Sequence, residues 1–128
     1  MTAESLMAKA RQAAVSARVL LDTGDADGAC NRAYYAMFDA ARAALLASGA
    51  PVEPELARTH NGLISAFSLH LVKTQRVPIE LGKALNKVED LRLVADYKGD
   101  PIENAVAGWA VEQAEAFVHA MQSRFIPL

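Results

Sequence analysis

Between Asp25 and Gly49 the chain runs without a proline through a stretch dominated by alanine, broken by Asn31-Arg32-Ala33-Tyr34-Tyr35-Ala36-Met37-Phe38. The pattern predicts a helix from about Ala26 to Ser48, with Asp25 as N-cap and Gly49 at the C′ position. Small side chains let neighbouring helices approach closely, and Tyr34, Tyr35, Met37 and Phe38 fill the space that remains. Such a segment asks for other helices packed against it, and the rest of the chain supplies them.

Helical periodicity continues almost throughout. A first helix is expected from about Ala3 to Asp22, with Leu6, Ala10, Ala13, Ala17, Leu20 and Leu21 on one face, ended by Thr23-Gly24-Asp25. Pro51 and Pro54 then make a loop. A third helix spans roughly Arg58 to Thr74, with Leu63, Ile64, Phe67 and Leu71 inward. Pro78 suits the first turn of a fourth, which carries Leu81, Leu85, Val88 and Leu91 inward and stops near Tyr97. Lys98-Gly99-Asp100-Pro101 is a break. A fifth runs from about Ile102 to Arg124, with Ala105, Val106, Trp109, Ala116, Phe117 and Met121 inward. No strand pattern competes, and short loops between helices imply antiparallel neighbours. The expectation is an all-α, up-and-down bundle of about five helices forming one domain over residues 1–128.

Composition narrows the function. With 52% hydrophobic and 22% charged residues the chain is globular rather than disordered. A net charge of −2 gives no global basic field, so any contact with RNA or a nucleotide must come from a local patch. The single cysteine, Cys30, excludes an internal disulfide and reads as a small buried hydrophobe. No CxxC or HExxH occurs, so a structural or catalytic zinc has no support. No metal and no cofactor are expected. No apolar run reaches the ~18 residues that span a bilayer. The acidic start Met1-Thr2-Ala3-Glu4-Ser5 lacks a signal-peptide pattern, and a cytoplasmic location is expected.

Two segments stand out. The Asn31–Phe38 segment and Leu91-Arg92-Leu93-Val94-Ala95-Asp96-Tyr97 each set one arginine and one or two tyrosines among small apolar residues. A buried arginine must find a partner, because an unpaired charge is too costly to bury. Arg92 continues the Leu81, Leu85, Val88 stripe. It snorkels out over the stripe, or pairs with Asp96 one turn later, or offers its planar fork of donors to a phosphate. Arg32 shares a general face with Tyr35 and Asp39, although Asp39 can instead pair with Arg42. Asn31 can both donate and accept. Either these groups form a polar network that fixes helix packing, or they form an anion site. Tyr34 and Phe38 read as core aromatics rather than a base-stacking platform. His60 opens the third helix in phase with Leu63, Ile64 and Phe67, and is either a helix-start residue or an acid–base group. His70 and His119 look like surface or interface positions. Lys73, Arg76, Lys83 and Lys87, with Glu80, Glu89 and Asp90 among them, read as a solvated mixed face.

With these residues in view, the chain resembles the HEPN superfamily, in particular its small stand-alone prokaryotic members. The resemblance rests on Asn31–Phe38, on Thr59-His60-Asn61-Gly62 with Phe67 and Lys73, and on Leu91-Arg92 with Ala95-Asp96-Tyr97, and it spans about Leu6 to Arg124. It implies an all-α bundle that usually dimerises, often beside a minimal nucleotidyltransferase in toxin–antitoxin pairs. Several such proteins are metal-independent ribonucleases that use an arginine followed four to six residues later by a histidine. Arg92 matches that arginine, but Asp96 and Tyr97 stand where the histidine falls.

Three functions compete. The first is a partner that binds a nucleotide, RNA or a nucleotidyltransferase through an Arg32/Arg92 cleft of Asn31, Arg32, Tyr35, Arg92 and Asp96. The second is an RNA endonuclease toxin using Arg92 with Tyr97 or His60. The third is a structural helical dimer whose arginines only hold the core. Binding is favoured over cutting, because charge and the missing histidine both argue against a strong nuclease. A homodimer is expected, both from the resemblance and from the high apolar content, with the second and fourth helices near its interface.

Overall fold

The computed structural model describes residues 1–128, which form helices joined by short connections. Helix α1 covers Ala3–Asp22, α2 Ala26–Ser48, α3 His60–Phe67, α4 Ile79–Leu93 and α5 Asn104–Phe125. A 3₁₀ turn, Leu56–Arg58, precedes α3. Wide π turns extend α3 over Ser68–Val72 and α4 over Val94–Lys98. The arrangement is a five-helix bundle.

Helix α2 is its axis. It touches α1, α3, α4 and α5, and Ala29, Ala33, Ala36, Ala40, Ala41, Ala43 and Ala44 have no exposed surface. A helix apolar on nearly all sides is stable only when enclosed. Its ends are as the sequence implied. Asp25 accepts from the Gly28 N–H at 2.8 Å. Gly49 takes the left-handed conformation, φ 74°, which only glycine adopts without cost. Cys30 is fully buried between these ends, and desolvation, with Asp27 adding, pushes its thiol up to about 11. That is an inert packing residue.

The inward faces of α1, α3 and α4 follow the expected stripes: Leu6, Ala10, Ala13 and Ala17, then Leu63, Phe67 and Leu71, then Leu85 and Val88 are buried. Leu20, Leu21, Ile64, Leu81 and Leu91 pack against that core with part of their surface in solvent. Two boundaries differ. Helix α3 begins at His60 rather than Arg58, because Thr59 caps it and the chain before it turns as 3₁₀. Helix α5 begins at Asn104 rather than Ile102, and the Ile102 N–H is held instead by the Asp27 carboxylate at 2.9 Å.

Helix α5 also corrects one stripe. Its buried face is Ala107, Ala110, Val111, Ala114, Phe117, Val118 and Met121. Phe117 and Met121 point inward as expected, but Ala105, Trp109 and Ala116 are exposed and Val106 is half-buried. The cause is the alanine surface of α2. Close approach of two backbones needs small residues on both sides, so Ala107, Ala110 and Ala114 take the seam and Trp109 is turned outward.

Candidate functional site

The site lies where α2, α3 and α4 meet, and local chemistry fixes each contributor. Thr59 Oγ1 accepts from the Gly62 N–H at 3.0 Å and donates to the Leu56 carbonyl at 3.0 Å. These two hydrogen bonds set the first turn of α3 and therefore the direction of His60. Gly62 is required there: a Cβ would come within 2.1 Å of the Leu56 carbonyl oxygen. On α4, the π turn from Val94 widens the last turn, and such wide turns are frequent at functional sites.

Arg92 is the centre. It is only 3% exposed, the one charged residue of the buried set. Its guanidinium carbon lies 4.8 Å from the Tyr34 ring centre, 5.8 Å from Tyr35 and 5.9 Å from Tyr97. The tyrosine faces attract the cation. Its single ion pair is long, Nη1 to Asp96 Oδ2 at 3.4 Å, against the 2.7–2.9 Å usual for charge-assisted bonds. Its Nε is buried and has no partner. Asp96 also accepts from Asn31 Nδ2 at 3.1 Å. Arg32 also approaches Tyr35, its guanidinium carbon 5.3 Å from that ring, and its Nε too is buried without a partner. Tyr97 is 75% exposed.

A second polar chain adjoins the first. The Tyr34 ring is fully buried, but its hydroxyl sits 2.7 Å from His60 Nδ1 and donates to Glu89 Oε2 at 3.0 Å. Burial, reinforced by Glu89, raises the Tyr34 hydroxyl far above the usual phenol range, so it remains a protonated donor. The His60 ring packs against Tyr34, Tyr35 and Phe38, with ring centres 5.4, 6.0 and 5.2 Å away.

The structure thus brings Asn31, Arg32, Tyr35, His60, Arg92, Asp96 and Tyr97 into one region. His119 is elsewhere, on an apolar groove between α1 and α5 of about 520 Å³. Glu89 is the residue that sequence reasoning missed. Its neighbours Lys83, Lys87 and Asp90 suggest a solvated face, yet it is half-buried and bonded to Tyr34. The available signal was spacing: Glu89 stands three residues before Arg92 and four after Leu85, on the side of α4 that faces α2.

Asp39 pairs with Arg42 at 3.8 Å rather than with Arg32. Burial raises its carboxyl above the ordinary value, against the pull of Lys9, Arg42 and Arg32. The folded state therefore holds this proton more tightly than the unfolded chain does. The resulting stability is present below the unfolded value of about 4 and is lost as pH rises through the folded one. Asp39→Asn is expected to raise the melting temperature at pH 7, with the gain vanishing below about pH 4. Melting curves across pH check it.

What this arrangement can hold is an anion. Two arginines offer unused buried donors between aromatic walls, at a spot where a planar fork suits phosphate oxygens.

Comparison with known proteins agrees in extent and kind. A family model described as HEPN domain matches residues 3–124. A UPF0332 protein of Gloeobacter violaceus is 41% identical over 96 residues, covering 75% of this chain and 72% of its own. A UPF0332 protein of Thermotoga maritima is 35% identical over 117 residues, covering 89% and 83%. A Methanocaldococcus jannaschii protein named "Putative toxin MJ0605" is 30% identical over 115 residues, covering 90% and 82%.

Proposed function

The chain belongs to the HEPN domain family, and from that premise we propose that it is a toxin-type HEPN protein whose Arg92 cleft takes a phosphate of RNA or of a nucleotide. The observation that carries the reading is Arg92 itself: a nearly fully buried guanidinium, ringed by three tyrosines, with an unpartnered Nε and one stretched ion pair. Desolvating a charge this far without matching bonds costs several kcal/mol. A phosphate entering at Tyr97 supplies those bonds, and Asp96 is the group it displaces or shares. Arg32 adds a second cation beside Tyr35. The net charge of −2 restricts the grip to this patch, so affinity rests on one or two phosphates rather than on a long backbone track.

The toxin part of the reading is supported by the name carried by the Methanocaldococcus relative. It is tested by growth. Induced expression of the wild type in a bacterial host is expected to arrest growth, and Arg92→Met at equal protein level is expected to restore it. Equal growth of the two strains removes the toxin assignment.

A further inference from the structure

Tyr34 has one hydroxyl proton and two neighbours that could take it. A carboxylate only accepts, so the 3.0 Å contact to Glu89 Oε2 consumes that proton. The 2.7 Å contact to His60 must then run the other way, with His60 Nδ1–H donating to the Tyr34 oxygen. In a neutral imidazole this leaves Nε2 as a bare lone pair. Nε2 makes no hydrogen bond within the chain, and it is not among the buried atoms left without a partner. It is therefore open to solvent. It belongs to a ring that packs on Tyr34 and Tyr35, the same two rings that carry the Arg92 guanidinium.

We propose that Glu89, acting through the Tyr34 hydroxyl, is a positioning residue that locks His60 with its acceptor nitrogen facing the cleft, so that the site selects a hydroxyl donor beside the phosphate held by Arg92, the 2′-hydroxyl of a ribonucleotide. The proposal rests on the phosphate reading of Arg92 and deepens it: Arg92 supplies affinity and His60 supplies the preference for ribose over deoxyribose. Without Glu89 the Tyr34 proton is released toward His60 Nδ1. The tautomer inverts, Nε2 becomes a donor, and a hydroxyl donor is no longer selected.

The test has two readouts on the full chain. Long-range ¹H–¹⁵N spectra of the His60 ring, taken where it is neutral, are expected to show protonated Nδ1 and bare Nε2 in the wild type. Glu89→Ala and Tyr34→Phe are expected to show the reverse. Glu89→Gln keeps an acceptor oxygen for Tyr34 and is expected to restore the wild-type pattern, which a merely structural role of Glu89 does not require. In anisotropy titrations, a short labelled RNA is expected to bind the wild type about five- to tenfold more tightly than DNA of the same sequence, the worth of one hydrogen bond. That preference is expected to disappear in Glu89→Ala while DNA binding stays. Protonated Nε2 in the wild type, or equal RNA and DNA affinities, overturns the proposal and leaves the phosphate reading standing. No binding of either oligonucleotide overturns both.

Discussion

Phe67→Ala is expected to lower the unfolding free energy by about 3–5 kcal/mol, a large share of the ~5–15 kcal/mol that holds a domain of this size together. Phe67 is 1% exposed. Its ring lies 5.5 Å from that of Phe117, so it joins α3 to α5 across the bundle. It is also the last α-helical residue before the π turn of Ser68–Val72. Alanine there leaves a cavity that surrounding helices close only in part. Trp109 is the control. It is larger, but 38% exposed, and Trp109→Ala is expected to cost much less. Urea denaturation of both variants decides the point, and equal losses mean that the core is misplaced.

Arg92→Met is expected to leave the protein about as stable as the wild type. Methionine keeps the apolar stem among Tyr34, Tyr35 and Tyr97 and removes the charge. The pair given up is weak, a 3.4 Å contact, and the guanidinium already leaves Nε unsatisfied. Asp96, which keeps its bond from Asn31 and has a side chain 29% exposed, is not stranded. Were Arg92 present to hold the core, the same substitution would destabilise. Melting temperatures of the two proteins separate the cases.

The fold was legible because its determinants are local. The α2 caps at Asp25 and Gly49, the breaks near Thr23 and Lys98, and the stripes through Leu63 and Phe67 or Leu85 and Val88 each follow from spacing and turn chemistry. Trp109 was misread because a periodic stripe defines a face only to within a turn, and the choice between neighbouring faces is made by the partner helix. The alanine seam of α2 made that choice. At the site, the two arginines and their tyrosines were legible as apolar contexts that a charge enters only at a cost. Glu89 was not, since a glutamate among lysines resembles a solvated face until the Tyr34 hydroxyl is placed beside it. The widening of α4 from Val94, in the turn whose Asp96 meets both Arg92 and Asn31, leaves no mark in a sequence that keeps helical spacing through to Tyr97.

The central claim is that Arg92 is buried for a ligand, and equilibrium titration of a short labelled RNA into wild-type and Arg92→Met protein at one fixed salt concentration tests it most directly. Saturable binding with a micromolar Kd in the wild type, weakened at least about thirtyfold in Arg92→Met, is the predicted result, since removing one partner of a buried charged contact costs 2 kcal/mol or more. Equal affinity of the two proteins, or no saturable binding by the wild type, contradicts it.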